Sequence, residues 1–300
     1  MFSINHITIP EVSRGYLELY SPNQASYAKI HLSQGGSLQR LTVNGHELIK
    51  DLSPMTYEDT YASAVLFPFA NRIKDGRYEF EGNTYQLDIN ETTLHNALHG
   101  LVYNKSFEVV REDTTVTTAS VTLVYHEKNK SNGFPYTYAI YLEYILSENT
   151  LDLNVEVKNT DTNIFPFTLG WHPYFFSTDL FNSHLIFDCN KKVELDERNI
   201  VIGKSYIENI TSFKIGDRFL DDCFILESKT ILFITPSYIL ELKTTEDDCF
   251  LQLYTPPHDN TLAIEPTTGV SDSFNNGVGL KTLHPHETYK IGWTLALNNI

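Results

Sequence analysis

The sequence predicts an all-β protein made of stacked antiparallel sheets, and three observations carry that prediction. Apolar and polar residues alternate in segment after segment, the signature of half-buried strands. The 18 Tyr and 18 Phe among 300 residues are flat side chains that pack well on pleated surfaces. No stretch of helical length sustains a 3.6-residue apolar repeat, and strand–helix–strand alternation is absent, which argues against a parallel sheet clothed in helices.

Taken in order, Tyr16–Tyr20 and residues 27–32 are the first strand candidates. Tyr78 and Phe80 alternate with Glu79 and Glu81, and after Gly82-Asn83 the alternation resumes through Tyr85, Leu87 and Ile89. Gly-Asn tolerates the positive φ of a tight hairpin turn, so the turn is placed there. Residues 116–125 form another candidate, followed by a hairpin of Tyr138–Leu146, a polar loop over 147–150, and a strand over 151–158. In that last strand Leu151, Leu153, Val155 and Val157 share one face. Further candidates are residues 231–234, residues 238–243 and Phe250–Tyr254. Residues 289–297 close the chain with Tyr289, Ile291, Trp293, Leu295 and Leu297 on one side. No Gly/Ser/Pro-rich linker, charge block or fixed-period repeat interrupts this succession, so residues 1–300 are read as one domain.

The charge balance excludes several function classes. With 22 basic and 38 acidic residues the net charge is −16, and Lys and Arg nowhere form a basic stripe. Nucleic acid and anionic membranes are therefore not expected partners. No apolar run approaches the roughly 20 residues that span a bilayer. The N-terminal stretch, broken by His6, Pro10, Glu11 and Arg14, lacks the apolar core of a secretion signal. Cys189, Cys223 and Cys249 are odd in number and widely spaced, against a disulfide framework. A reducing cytoplasm is the expected location.

Five stretches hold polar residues that alternation does not explain. Phe67-Pro68-Phe69-Ala70-Asn71-Arg72-Ile73 sets a guanidinium fork in an apolar, Pro-broken segment, suited to adjacent hydroxyls or to a carboxylate. Leu94-His95-Asn96-Ala97-Leu98-His99-Gly100 spaces two His four apart, but Gly100 ends any helix and no Glu follows His95, so a zinc site is not expected. Gly170-Trp171-His172-Pro173-Tyr174-Phe175 walls an imidazole with aromatic rings of the kind that pack on pyranose faces. Leu220-Asp221-Asp222-Cys223-Phe224 places two carboxylates before an apolar strand. Ala263-Ile264-Glu265-Pro266-Thr267-Thr268-Gly269 sets a carboxylate at the end of an apolar strand, which Pro266 is expected to terminate. Each stretch also has a structural reading: an ion pair at the rim, a loop His, a core His, a solvated acid pair, a strand-capping Glu.

Together and in this order, Asn71-Arg72-Ile73, Leu98-His99-Gly100, His172-Pro173-Tyr174-Phe175, Asp221-Asp222-Cys223-Phe224 and Glu265-Pro266 resemble the aldose 1-epimerase (galactose mutarotase) family from about residue 65 onward. The resemblance implies a large twisted antiparallel β-sandwich of the galactose mutarotase type with an open sugar cleft. It implies Glu265 as general base and His172 as general acid. Arg72, His99 and Asp221 match substrate-binding positions, and Asn71 and Gln252 match binding positions more loosely. Asp221 fits the pattern better than Asp222 by its spacing to Phe224. Leu101 stands where members often have a second Gly, and Thr267-Thr268 where they often have a Gln, so the sugar itself stays open.

Such an enzyme needs no metal and no cofactor: a base takes the C1 hydroxyl proton while an acid protonates the ring oxygen. The ordinary pKa values of Glu and His, about 4.3 and 6.5, straddle the required states near pH 6, so little tuning is expected. The expected partner is a small-molecule sugar, with the chain a monomer or homodimer. Three other readings compete: a catalytically silent sugar-binding module, a hexose-6-phosphate mutarotase, which would want several Arg or Lys, and a glycoside hydrolase using Glu265 with Asp221.

Overall fold

Alternation resolves into three large antiparallel sheets and three two-stranded ribbons in the structure, a computed structural model that describes residues 1–8, 15–208, 212–258 and 260–298. Pro10, Glu11 and Arg14 lie outside the described residues. The N-terminal sheet is a meander of Ser3–Ile7, Tyr16–Tyr20, Tyr27–His31, Ser37–Val43 and His46–Ile49. A nine-stranded sheet runs, in spatial order, Glu108–Thr114, Ala119–Glu127, Tyr138–Leu146, Thr150–Asn159, Thr288–Asn298, Ile239–Thr244, Thr230–Ile234, His184–Ile186 and Phe213–Lys214. The C-terminal strand sits at its middle, because its alternating face pairs along its length with Thr150–Asn159 on one side and Ile239–Thr244 on the other. Helix is confined to the single turns Tyr57–Thr60 and Ser273–Asn276 among the described residues.

The third sheet carries the site. Its order is Val201–Tyr206, Cys189–Leu195, Asp221–Leu226, Phe250–Tyr254, Thr261–Thr267, Gly170–Trp171 and Val65–Leu66, with Tyr174–Phe176 also against Thr261–Thr267. One face turns Phe224, Leu251, Leu253, Leu262, Ile264 and Phe175 into the main core. That core reaches the nine-stranded sheet, where Trp171 stacks on Trp293 at 5.9 Å and Phe224 meets Phe213 at 6.0 Å. Both inner faces are apolar and their rings interdigitate, so the two sheets form a sandwich.

Two local expectations change. The first hairpin pairs Phe80 with Asn83, so the turn is Glu81-Gly82, one residue earlier than expected, with φ of 49° and 74°. Both positive values belong to the turn type that matches strand twist. Pro266 also fails to end its strand: Thr261–Thr267 runs through it, with Leu251 opposite Pro266 and Phe250 opposite Thr267. The reason lies on the other flank. Tyr174–Phe176 pairs with residues 261–263 and Gly170 pairs with Thr267, and between them the irregular His172-Pro173 link stands opposite Glu265-Pro266. No ladder bond is required at Pro266, so its missing N–H costs little there.

Candidate active site

The face of the third sheet that turns away from the core presents Asp221, Gln252 and Glu265 from three neighbouring strands. The register sets Gln252 directly across from Glu265 and Asp221 across from Tyr254. Strand pleating then places Gln252 and Tyr254, two residues apart, on this same face. Asp222 projects to the opposite side and pairs with Lys192.

His172 enters from the break between Gly170–Trp171 and Tyr174–Phe176. Its backbone is fixed on both sides, its N–H donating to Ala64 O at 3.0 Å and its carbonyl accepting from Ser63 N at 2.8 Å. The imidazole Nε2 lies 3.4 Å from Glu265 Oε1, with the two side chains only 5% and 3% exposed. The Tyr174 ring lies 5.0 Å from it, and the His99 ring meets it edge-on at 4.9 Å.

His99 and Arg72 come from the small ribbon of Arg72–Lys74 paired with Asn96–Leu98. Asn71 and His99 take positive φ of 60° and 62°, and His99 N–H donates to Asn71 O at 2.9 Å. Non-Gly residues in the left-handed region are uncommon, and here both aim a polar side chain into one space. Gly100, at φ 76°, lets the chain pass Phe67, whose carbonyl oxygen would lie 2.3 Å from a Cβ at that position.

All seven residues singled out from the sequence, Glu265, His172, Arg72, His99, Asp221, Asn71 and Gln252, line one cavity of about 210 Å³. Pockets for drug-sized ligands run to about 300–1,000 Å³, so this smaller cavity suits a single sugar ring. A hydrogen-bonded chain crosses it. Arg72 Nη1 donates to Asn71 Oδ1 at 3.0 Å, Asn71 Nδ2 to Gln252 Oε1 at 3.5 Å, and Gln252 Nε2 to Asp221 Oδ1 at 2.7 Å. His95 is not in the site: it is exposed and pairs with Asp75 at 3.1 Å.

Sequence reasoning missed Glu91, Asn199 and Tyr61, which lines the cavity with its ring 4.8 Å from that of His99. Glu91 grips the Arg72 fork through three contacts of 2.8–3.1 Å, and Asn199 donates to Asp221 Oδ2 at 3.0 Å. Glu91 stands among Asn90 and Thr92 in a polar stretch that reads as surface, and no sequence signal marks it. Tyr254 also lines the cavity, and the two-residue period from Gln252 was the available signal.

The charges are tuned more strongly than the sequence suggests. Burial pushes Glu265 well above the usual carboxylate range, and nearby Asp221 adds to this against the opposing pull of Arg72. Burial pushes His172 down to about 4. His99 falls well below the imidazole range, by burial first and then by the neighbouring His172 and Arg72 charges. Asp221 is raised, again chiefly by burial. The expectation of little tuning is therefore corrected: these side chains lie in a dry pocket, where each charged form is penalised. Two ring nitrogens, His99 Nδ1 and His172 Nδ1, are buried with no hydrogen-bond partner among the described residues. Such polar capacity in a ready-made cavity is what a hydroxyl-rich ligand satisfies.

This arrangement has relatives. Protein YihR of Escherichia coli K12 is 25% identical over 269 residues, which cover 86% of each chain. The crystal structure of a galactose mutarotase-like protein from Clostridium acetobutylicum superposes with a TM-score of 0.86 at 22% identity, covering 100% of this chain and 99% of that one. Galactose 1-epimerase from Lactobacillus acidophilus gives a TM-score of 0.82 at 18% identity, covering 99% and 98%. These likenesses establish the mutarotase-like fold. Residues 21–295, which contain every side chain of the cavity, match the family described as aldose 1-epimerase, and the chain belongs to that family of carbohydrate isomerases.

Proposed function

We propose that the enzyme interconverts the α and β anomers of a free aldohexose such as glucose or galactose, with Glu265 as general base and His172 as general acid. The observation that carries this reading is the facing of one carboxylate and one imidazole, 3.4 Å apart, at the bottom of a buried cavity of single-ring size. Anomer exchange moves one proton off the C1 hydroxyl and one onto the ring oxygen, so the ring opens, the aldehyde rotates and the ring recloses. One proton shared between Glu265 and His172 suffices. Before sugar binds, burial favours the proton on Glu265. A sugar whose hydroxyl donates to Glu265 and whose ring oxygen accepts from His172 favours the ionised pair, and the proton count is unchanged. His99, Arg72, Asp221, Asn71 and Gln252 supply donors and acceptors for the remaining hydroxyls.

Charge supports a free sugar over a sugar phosphate. Even with Glu265 protonated, the cavity is lined by the carboxylates of Asp59, Glu91 and Asp221 against Arg72 alone, whose fork Glu91 already occupies. A phosphate dianion would meet net repulsion there.

Polarimetry on freshly dissolved α-D-glucose and α-D-galactose tests the proposal. Glu265→Gln should lower kcat by about 10²–10⁴-fold, the usual share of a general acid–base residue, with KM little changed. Removing the His99 or Arg72 side chain should cost about 100-fold. A Glu265→Gln enzyme as fast as the parent would remove Glu265 from the chemistry, and equal rates on glucose and its 6-phosphate would remove the charge argument.

A further inference from the structure

The two outermost strands of the third sheet, Cys189–Leu195 and Val201–Tyr206, are joined by a turn of residues 196–200 that touches both sides of the site. Asp196 stiffens this turn: its carboxylate accepts from Arg198 N at 2.8 Å and Ile200 N at 2.9 Å, and its own N–H donates to Ile200 O at 2.9 Å. Asn199 takes a φ of 58°, a left-handed conformation that Asn tolerates better than most residues. A turn closed by its own Asp holds the two successive side chains, Arg198 and Asn199, in fixed places.

Arg198 engages the ribbon that carries Arg72 and His99. Its Nε donates to Leu94 O at 2.9 Å, and its Nη2 to His95 O at 2.8 Å, Asn96 Oδ1 at 3.1 Å and Asp75 Oδ1 at 2.9 Å. Asn96 is fully buried and returns the contact, donating to Arg198 O at 3.2 Å and, from the same amide nitrogen, to the Glu91 carboxylate that holds the Arg72 fork. Asn199 reaches the other side: its Nδ2 donates to Asp221 Oδ2 at 3.0 Å, while Gln252 donates to Oδ1 at 2.7 Å. Each carboxylate oxygen keeps a second lone pair, so Asp221 is fixed in orientation and still able to accept from a hydroxyl. The turn thereby closes the hydrogen-bonded chain from Arg72 to Asp221 into a ring, which returns from Asp221 through Asn199, Arg198, Asn96 and Glu91 to Arg72.

We propose that Arg198 and Asn199 are positioning residues for the sugar, holding Asp221 at the orientation and at the distance from Arg72 and His99 that one pyranose ring requires. This rests on the reading of the cavity as a sugar site with Asp221 among its binding groups. Neither side chain lines the cavity, so Asn199 acts through Asp221 and Arg198 through the ribbon. The sheet supplies one set of hydroxyl partners and the ribbon the other, and a ring that spans both is sensitive to small shifts between them.

The test measures KM and kcat on freshly dissolved α-D-glucose by polarimetry, and Kd for glucose by NMR titration. The variants are Asn199→Ala, Arg198→Ala and Arg198→Lys in the parent enzyme, and Asn199→Ala in an Asp221→Ala background. Asn199→Ala should raise KM and Kd about tenfold, the loss of one hydrogen bond to a charged group, with kcat within about twofold. Arg198→Ala should raise both constants as well, and Arg198→Lys should not restore them, because an ammonium cannot reproduce the contacts of the fork. In the Asp221→Ala background Asn199→Ala should change Kd by less than about twofold, since the group it positions is gone; a merely structural role would cost the same in both backgrounds. Unaltered KM and Kd in Asn199→Ala, an equal loss with and without the Asp221 carboxylate, or full rescue by Arg198→Lys would overturn the proposal. A parent that binds glucose without interconverting its anomers would overturn the activity and leave the proposal standing on the Kd values. A parent that binds neither glucose nor galactose would overturn both.

Discussion

Burial acts on Glu265 and His172 in opposite directions because it penalises whichever form is charged, the deprotonated carboxyl and the protonated imidazole. In the proposed mechanism the active free enzyme holds one proton on the pair. Below the His172 value of about 4 a second proton binds, and above the raised Glu265 value the shared proton leaves. The kcat/KM profile should therefore be a bell whose acid limb falls near pH 4, and an acid limb at the ordinary imidazole value of about 6.5 would refute the dry-pocket account. The same shifts govern stability. Glu265 has a folded pKa above its unfolded one, so its favourable contribution is complete below about 4.5 and is lost as pH rises through the folded value. His172, lowered in the fold, contributes stability above about 6.5 that is lost as pH falls toward about 4. Glu265→Gln removes the first effect. At pH 7.5 it should unfold a few degrees higher than the parent in differential scanning calorimetry while nearly inactive, with the difference closing toward pH 4. A lower Tm at pH 7.5 would contradict this.

At the scale of elements, the paired ribbon of Arg72–Lys74 and Asn96–Leu98 delivers Arg72 and His99 together, and Glu91 locks it. Glu91 accepts the Arg72 fork and also accepts from Asn96 Nδ2 at 2.8 Å, so one carboxylate ties both ribbon strands. Glu91→Gln keeps the volume but weakens a charge-assisted bidentate pair that is only 12–14% exposed. It should lower kcat/KM on glucose by about 10–100-fold with the fold intact by circular dichroism; unchanged kcat/KM would make Glu91 a purely structural partner. Gly100→Ala strains the same ribbon twice, through φ of 76° and through the Phe67 carbonyl, and should cost about 1–3 kcal/mol by urea denaturation. The sequence made long strands legible, as in 138–146 and 289–297, because one buried face enforces the period of two. Central strands were less legible: Thr261–Thr267 is buried at every position, so it shows no alternation, and Pro266 reads as a stop when the missing ladder bond is invisible. Most of the seven residues that meet in the cavity were legible as short motifs in order. Glu91 was not, because its role comes from a contact 19 residues away with no local pattern.

At the scale of the whole molecule, one apolar cluster runs through all three sheets, from Leu17 and Leu41 of the meander through Leu142 and Trp293 to Trp171, Leu251 and Ile264. The third sheet thus presents the site on one face while its other face is bound into the common core. We propose on this ground that the chain unfolds as one domain. Trp293 tests the coupling, since it joins the sheets by stacking on Trp171 and is 1% exposed. Trp293→Ala should cost about 3–5 kcal/mol, the usual price of deleting a buried large aromatic. Trp293→Phe should cost much less, because the indole Nε1–H has no acceptor among the described residues and its removal leaves no partner unsatisfied. In urea, far-ultraviolet circular dichroism, tryptophan fluorescence and mutarotation of glucose should be lost in one coincident transition for the parent and for both variants. A transition in which activity disappears while half the strand signal persists would divide the sandwich into separately folding parts and overturn the one-domain reading.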